Sequence, residues 1–192
     1  MFQSNDLFCL LNWSEIKGMT PIMRGILDEV FPEINLKKKI VFFDLADFSN
    51  RDKKEVLAVI DLIKEFALRT KVVLSLNKNE SKTMHDILFE ETEINFREQG
   101  KKIYRKLPIS ILVIHNAKET HVFENKLELE VKPELISNPL ISTGAGDHFN
   151  AGFCYGLLSN FELSKCLVMA NLVASYYLKT GVSPTINNLI KQ

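Results

Sequence analysis

The chain has 192 residues, 46% of them hydrophobic, with 24 basic and 24 acidic side chains and hence a formal charge of zero. That is enough to bury one sizeable core, and length favours a single domain over residues 1–192. The balance of charge leaves no strongly basic face for nucleic acid, and no apolar stretch approaches the ~20 residues of a membrane span. Lys37-Lys38-Lys39, the one compact basic run, reads as a solvated loop. Cys9, Cys154 and Cys166 are far apart without zinc spacing and read as reduced core thiols of a cytoplasmic protein. Met1 to Asp6 has neither the basic nor the apolar region of a secretory signal.

Apolar runs rich in β-branched and aromatic residues alternate with stretches of helical period, the pattern of an α/β fold. Leu7 to Trp13 is the first expected strand. Thr20-Pro21 then offers an N-cap with proline at the first helical position, opening a helix that runs to about Val30, before Pro32. After a strand at Ile40 to Leu45, Asn50 is read as the N-cap of a helix with Val56, Val59, Ile60, Ile63 and Ala67 on one apolar face. The third strand, Val72 to Leu76, leads into helices near Ser81 to Phe89 and Thr92 to Tyr104, and Ile109 to His115 is the fourth strand. These strands are nearly continuous in apolar character, as in a parallel sheet covered on both faces. Thr120 to Phe123 and Leu127 to Val131 flank a turn-forming Asn125 and read as a hairpin. A helix follows from His148 to Leu158. In the next, Leu163, Leu167, Ala170, Ala174 and Tyr177 keep helical spacing and Gly181 stands where a glycine ends a helix. No repeat or linker divides the chain.

Ser142-Thr143-Gly144-Ala145-Gly146-Asp147 immediately precedes the helix at His148. Small residues there let the backbone approach a ligand closely, and the unpaired N–H groups of a first helical turn favour an anion. Such a turn can cradle a phosphate, with Asp147 at its rim as a general base for an attacking hydroxyl. The same residues also suit an ordinary glycine turn in which the helix macrodipole favours an aspartate. Asn77-Lys78-Asn79-Glu80 closes the third strand at its carboxyl end, the edge where ligands bind in open α/β sheets. Asn77 could orient a phosphate oxygen and Glu80 the water shell of a magnesium ion, or the segment could be a strand end capped by Asn79. His85, His115 and His121 lack metal spacing and read as structural or surface residues. His148 follows Asp147 directly, and adjacent helical residues diverge by ~100° and do not face each other.

Together, Asn77-x-x-Glu80 and Gly144-Ala145-Gly146-Asp147, in that order, resemble the ribokinase-like (PfkB) family of carbohydrate and nucleoside kinases. The resemblance covers most of the chain, including Asn12-Trp13, Phe43 to Asp47 and Leu74 to Asn77 as strand ends, and Gly181 to Pro184 as a closing turn. It implies a doubly wound, mostly parallel α/β sheet with helices on both faces, truncated at the N-terminus. It implies a cytoplasmic ATP- and magnesium-dependent kinase that phosphorylates a hydroxyl of a sugar or nucleoside. Asp147 would be the catalytic base and Thr143, Gly144, Ala145 and Gly146 the anion hole. Asn77, Asn116, Asn171 and Gly181 would meet the nucleotide, and Glu80 would serve magnesium through water.

The sequence departs from the family in three respects. The match begins about one third of the way through the family's length, so the lid and most sugar contacts are absent. Asn116 and Glu119 stand where the family has a Gly-x-x-Gly turn, which implies a reshaped nucleotide loop. Ile141 replaces an aspartate of a monovalent-cation site, so potassium activation is not expected. A catalytically inactive remnant acting as a nucleotide-binding or oligomerisation module is therefore the alternative. An uncovered edge strand near Leu7 to Leu11 would favour self-association or pairing with an N-terminal segment.

Overall fold

A computed structural model describes residues 2–89 and 94–190. Six strands form one sheet in sequence order: β1 (Leu7–Leu11), β2 (Ile40–Asp44), β3 (Lys71–Asn77), β4 (Ile111–His115), β5 (Thr120–Glu124) and β6 (Leu127–Val131). The first three are parallel, with Leu7 opposite Ile40 and Ile40 opposite Lys71. Val72 to Leu76 of β3 are all buried, and because successive side chains point to opposite faces, this strand is covered on both. The chain divides into two compact units, one of residues Met1–Ile114 with Phe123–Leu127, the other of His115–Val122 with Glu128–Gln192.

In the first unit β1 ends at Leu11, two residues short of Trp13, because Asn12 turns the backbone left-handed with φ 58°. Helix α1 (Met19–Gly25) is capped by Gly18, not by Thr20. The Thr20 hydroxyl accepts instead from the indole Nε1 of buried Trp13 at 2.9 Å, which withdraws it from the cap. The helical path continues through a π turn at Ile26–Val30 and a 3-10 turn at Phe31–Glu33. Pro32 lies at the start of that last turn, where its missing N–H is no loss. The next helix, α2 (Lys53–Ala67), starts later than Asn50 would place it. Asp52 is the cap, its side chain accepting from the Lys54 N–H, while Asn50 stays in the preceding turn.

The apolar face of α2 carries Val56, Val59, Ile60, Ile63 and Phe66, all buried, each worth roughly 1.5–3 kcal/mol of burial. Phe66 meets Phe43 and Phe31 edge-on, with ring centroids 5.3 and 5.2 Å away. Helix α3 (Lys78–Phe89) begins directly at the end of β3. The expected helix start at Thr92 lies outside the described residues, and α4 (Phe96–Lys106) opens behind Asn95, whose side chain accepts from the Glu98 N–H. Cys9 is exposed on β1 and so departs from the buried thiol expected of it, whereas Cys154 and Cys166 are buried.

In the second unit α5 (Ala145–Leu158) packs on α6 (Leu163–Thr180), and a short α7 (Ile186–Ile190) follows. A side chain at Gly152 would stand 2.8 Å from the Ala170 Cα, and one at Gly156 would stand 2.9 Å from the Cys166 Cα. These glycines, one helical turn apart, let the two backbones touch, so α6 fixes the position of α5 and of the turn at its start. The α6 helix ends as expected at Gly181, which takes φ 70° and returns its N–H to the Tyr177 carbonyl at 2.8 Å.

Candidate active site

The turn from Thr143 to Asp147 belongs to the second unit. Gly144, with φ 89°, is the N-cap of α5, and the geometry there is open to glycine but strained for other residues. Ala145, Gly146 and Asp147 form the first helical turn, so their N–H groups stand at the positive end of a 14-residue helix. Asp147 is exposed at the rim. A Cβ added to Gly146 would meet a single heavy atom of the chain within 4 Å, the His115 Cε1 at 3.8 Å. The protein's own packing therefore does not require glycine at 146, whereas a ligand approaching the backbone would.

The floor and walls of this turn are aromatic. His115 stacks on Phe149 with ring centroids 4.3 Å apart, and burial of most of its ring pushes the imidazole down to about 4, so it is neutral at physiological pH. His148 stacks on Tyr177 at 3.7 Å and 11°. Its Nδ1 lies 2.7 Å from the Gly144 carbonyl and its Nε2 lies 2.9 Å from the Ser183 hydroxyl. The Tyr177 hydroxyl donates to the Thr143 carbonyl at 3.0 Å. Sequence spacing gave no hint of Tyr177, 34 residues from Thr143. The His148–Gly144 bond spans one helical turn, a relation that spacing could have revealed.

Asn77 and Glu80 belong to the first unit, and their geometry is that of a capping box. Asn77 Oδ1 accepts from the N–H groups of Asn79 and Glu80, at 2.8 and 3.1 Å. In return Glu80 accepts from the Asn77 N–H at 2.8 Å and from its carboxamide Nδ2 at 2.5 Å. The cap is thus Asn77 and not Asn79, and the Glu80 carboxylate has each oxygen on Asn77. At 5% exposure it does not fit direct ligation of magnesium, and any influence on the ion would pass through water. Among the described residues no group of three or more His, Cys, Asp or Glu is arranged to hold a metal.

Burial, reinforced by the nearby Asp44 and Asp47 charges and opposed by the Asn77 N–H, pushes Glu80 up from 4.5 to about 7. The folded state then holds this proton more tightly than the unfolded state, so its contribution to stability declines as pH rises from about 4.5 to about 7. The full difference is on the order of 3 kcal/mol. Urea unfolding at a series of pH values should show this slope in the parent chain, and Glu80→Gln should lack it. Equal slopes in both chains would remove the buried-acid reading.

The other expected nucleotide residues lie in the second unit. Asn116 accepts from the N–H groups of Lys118 and Glu119 and closes a tight turn between β4 and β5. Neither Asn116 nor Glu119 takes a positive φ, so the loop does not use the left-handed geometry that glycine favours. Asn171 is buried, and its Nδ2 donates to Thr120 Oγ1 at 3.1 Å, while that hydroxyl donates to the Val131 carbonyl. Gly181 adjoins exposed Leu140, whose Cδ2 would stand 3.3 Å from a side chain placed there, and exposed Val182 follows it.

Solved structures that share the fold place it in the ribokinase class. Ribokinase from Thermotoga maritima superposes with a TM-score of 0.72 over 98% of this chain and 57% of that one, at 16% identity. Adenosine kinase from Sinorhizobium meliloti gives 0.73 over 98% of this chain and 54% of that one, also at 16% identity. Within that fold, residues 2–192 match the family described as prokaryotic ketohexokinase, and the chain belongs to it. A ketohexokinase of Haloferax volcanii is 25% identical over 177 residues, which make up 92% of this chain and 47% of that protein. The chain spans about half the length of the relatives it matches.

Proposed function

We propose that this chain carries the phosphoryl-transfer site of an ATP-dependent kinase that moves the γ-phosphoryl group to a hydroxyl of a sugar or nucleoside. One observation supports it above the others: Gly146 leaves an open cradle at the positive end of α5, with the exposed Asp147 carboxylate beside it. Asp147 takes the proton of the acceptor hydroxyl as its oxygen attacks the γ-phosphorus and ADP leaves. Thr143, Gly144, Ala145 and Gly146 form the anion hole; the Ala145 N–H closes the turn on the Ser142 carbonyl, and the Gly144 and Gly146 amides, fixed beforehand, stabilise the charge spread over the transferring oxygens without reorganising. Exposed Leu140 and Val182 beside Gly181 offer apolar surface to an adenine ring. Magnesium bound with the nucleotide phosphates would screen their charge, and Glu80, both of whose carboxylate oxygens are engaged by Asn77, would serve it only through water. The family's description makes a ketohexose the first acceptor to test.

The test has two parts. Mg-ATP at 100 times its dissociation constant should stabilise the chain by ~2.7 kcal/mol, read as a thermal shift. Phosphoryl transfer from ATP should then be measured across ketohexoses, other sugars and nucleosides. No shift at millimolar Mg-ATP would overturn nucleotide binding altogether. A shift without transfer to any acceptor would establish the alternative, a nucleotide-binding module that does not turn over alone.

A further inference from the structure

We propose that His148 and Tyr177 form a clamp that positions the phosphate-binding turn, His148 being the principal positioning residue. This rests on the kinase reading of that turn. A carbonyl oxygen can only accept, so the 2.7 Å contact to Gly144 requires the proton of His148 on Nδ1. With Nδ1 protonated, the neutral ring presents Nε2 as an acceptor to the Ser183 hydroxyl, which fixes the ring from its other edge. Tyr177 supports the ring by stacking and holds the Thr143 carbonyl through its own hydroxyl.

The consequence follows from peptide planarity. Each held carbonyl fixes the amide across its own peptide bond, because C=O and N–H of one trans peptide point in opposite directions. The Tyr177 bond sets the Thr143–Gly144 peptide and so the direction of the Gly144 N–H. The Gly144 carbonyl accepts the helical bond from the His148 N–H at 3.1 Å, and the imidazole Nδ1 adds a second bond that reinforces the Gly144–Ala145 peptide, whose own N–H turns back to the Ser142 carbonyl at 3.2 Å. Two consecutive peptides of the anion hole are thus held from behind by side chains that need not touch the nucleotide. Glycine at 144 completes the fit, since a Cβ there would approach the Tyr177 hydroxyl to 3.2 Å. His148 acts at the turn without exchanging a proton with Asp147, in keeping with the divergence of adjacent helical residues.

Imidazole 13C and 15N shifts of His148 should report the Nδ1–H tautomer or the imidazolium, and a neutral Nε2–H ring would overturn the clamp. His148→Phe keeps a ring to stack on Tyr177 but loses both hydrogen bonds. It should lower kcat about 10- to 100-fold, as expected for sub-ångström misplacement of the turn, with KM for ATP changed less than ~3-fold. His148→Asn, which restores a donor near the Nδ1 position, should recover part of that loss. A rise in KM with kcat intact would overturn the proposal. If the parent chain neither binds Mg-ATP nor turns over, the kinase reading falls but the clamp is still decided by amide hydrogen exchange. His148→Phe should then speed exchange at the Ala145 and His148 amides, which are bonded to the Ser142 and Gly144 carbonyls, by about tenfold, the loss of one hydrogen bond, with α6 unchanged. Equal exchange rates in the two chains would overturn it.

Discussion

Asp147→Asn should lower phosphoryl transfer by at least ~100-fold, the span expected when a positioned general base is removed. The substitution is nearly isosteric, and residue 147 is exposed in the first turn of α5, so nothing buried is disturbed. Losing the negative charge there forfeits only the macrodipole contribution, about 0.3–1 kcal/mol. Folding and Mg-ATP affinity should therefore persist while kcat falls. Steady-state kinetics beside a thermal-shift titration separates the two quantities. Turnover that survives the change undiminished would take the base role away from Asp147.

Gly146→Ala should lower activity about 100- to 1000-fold for a different reason and leave the protein intact. The added methyl has room, because its nearest neighbour in the chain would be His115 Cε1 at 3.8 Å. Alanine is also the better helical residue, by roughly 0.5–1 kcal/mol, so the melting midpoint should hold or rise. Yet that methyl fills the space through which a phosphoryl group must reach the amides, and loss of such contacts costs about 100- to 1000-fold in kcat. Gly144→Ala is the contrasting variant. Its φ of 89° and the 3.2 Å approach to the Tyr177 hydroxyl make alanine strained, so stability should fall together with activity. A Gly146→Ala chain that is stable and fully active would show that no phosphate visits the cradle.

The sequence was most legible where local chemistry decides the outcome. The continuous apolar runs marked strands β2 and β3, Gly181 marked the end of α6, and the glycines before His148 marked the turn at the start of α5. Errors arose where two residues could do one job. Thr20 and Gly18 both suit an N-cap, and the distant indole of Trp13 decided between them by occupying the threonine hydroxyl. Asn50 and Asp52 are equally good caps by type, and Asn50 is held in the turn before the helix while Asp52 accepts from the Lys54 N–H. Asn77-x-x-Glu80 reads as a ligand pair or as a helix start by composition. The spacing of a capping box was present in the sequence, but not the burial that commits both Glu80 oxygens to Asn77. The pairing of His148 with Tyr177 depends on how α5 meets α6, which no local pattern contains.

The capping box has a consequence for how such chains diverge. Asn77 and Glu80 close the β3–α3 junction whether or not any phosphoryl group is transferred, so a descendant that lost its chemistry would still be selected to keep them for folding alone. Gly146 has no such anchor, since the protein tolerates a side chain there. Under relaxed selection for catalysis, drift would replace Gly146 early and leave the Asn-x-x-Glu signature standing. Across related chains, the residue at 146 therefore marks retained chemistry and the residues at 77 and 80 mark retained architecture.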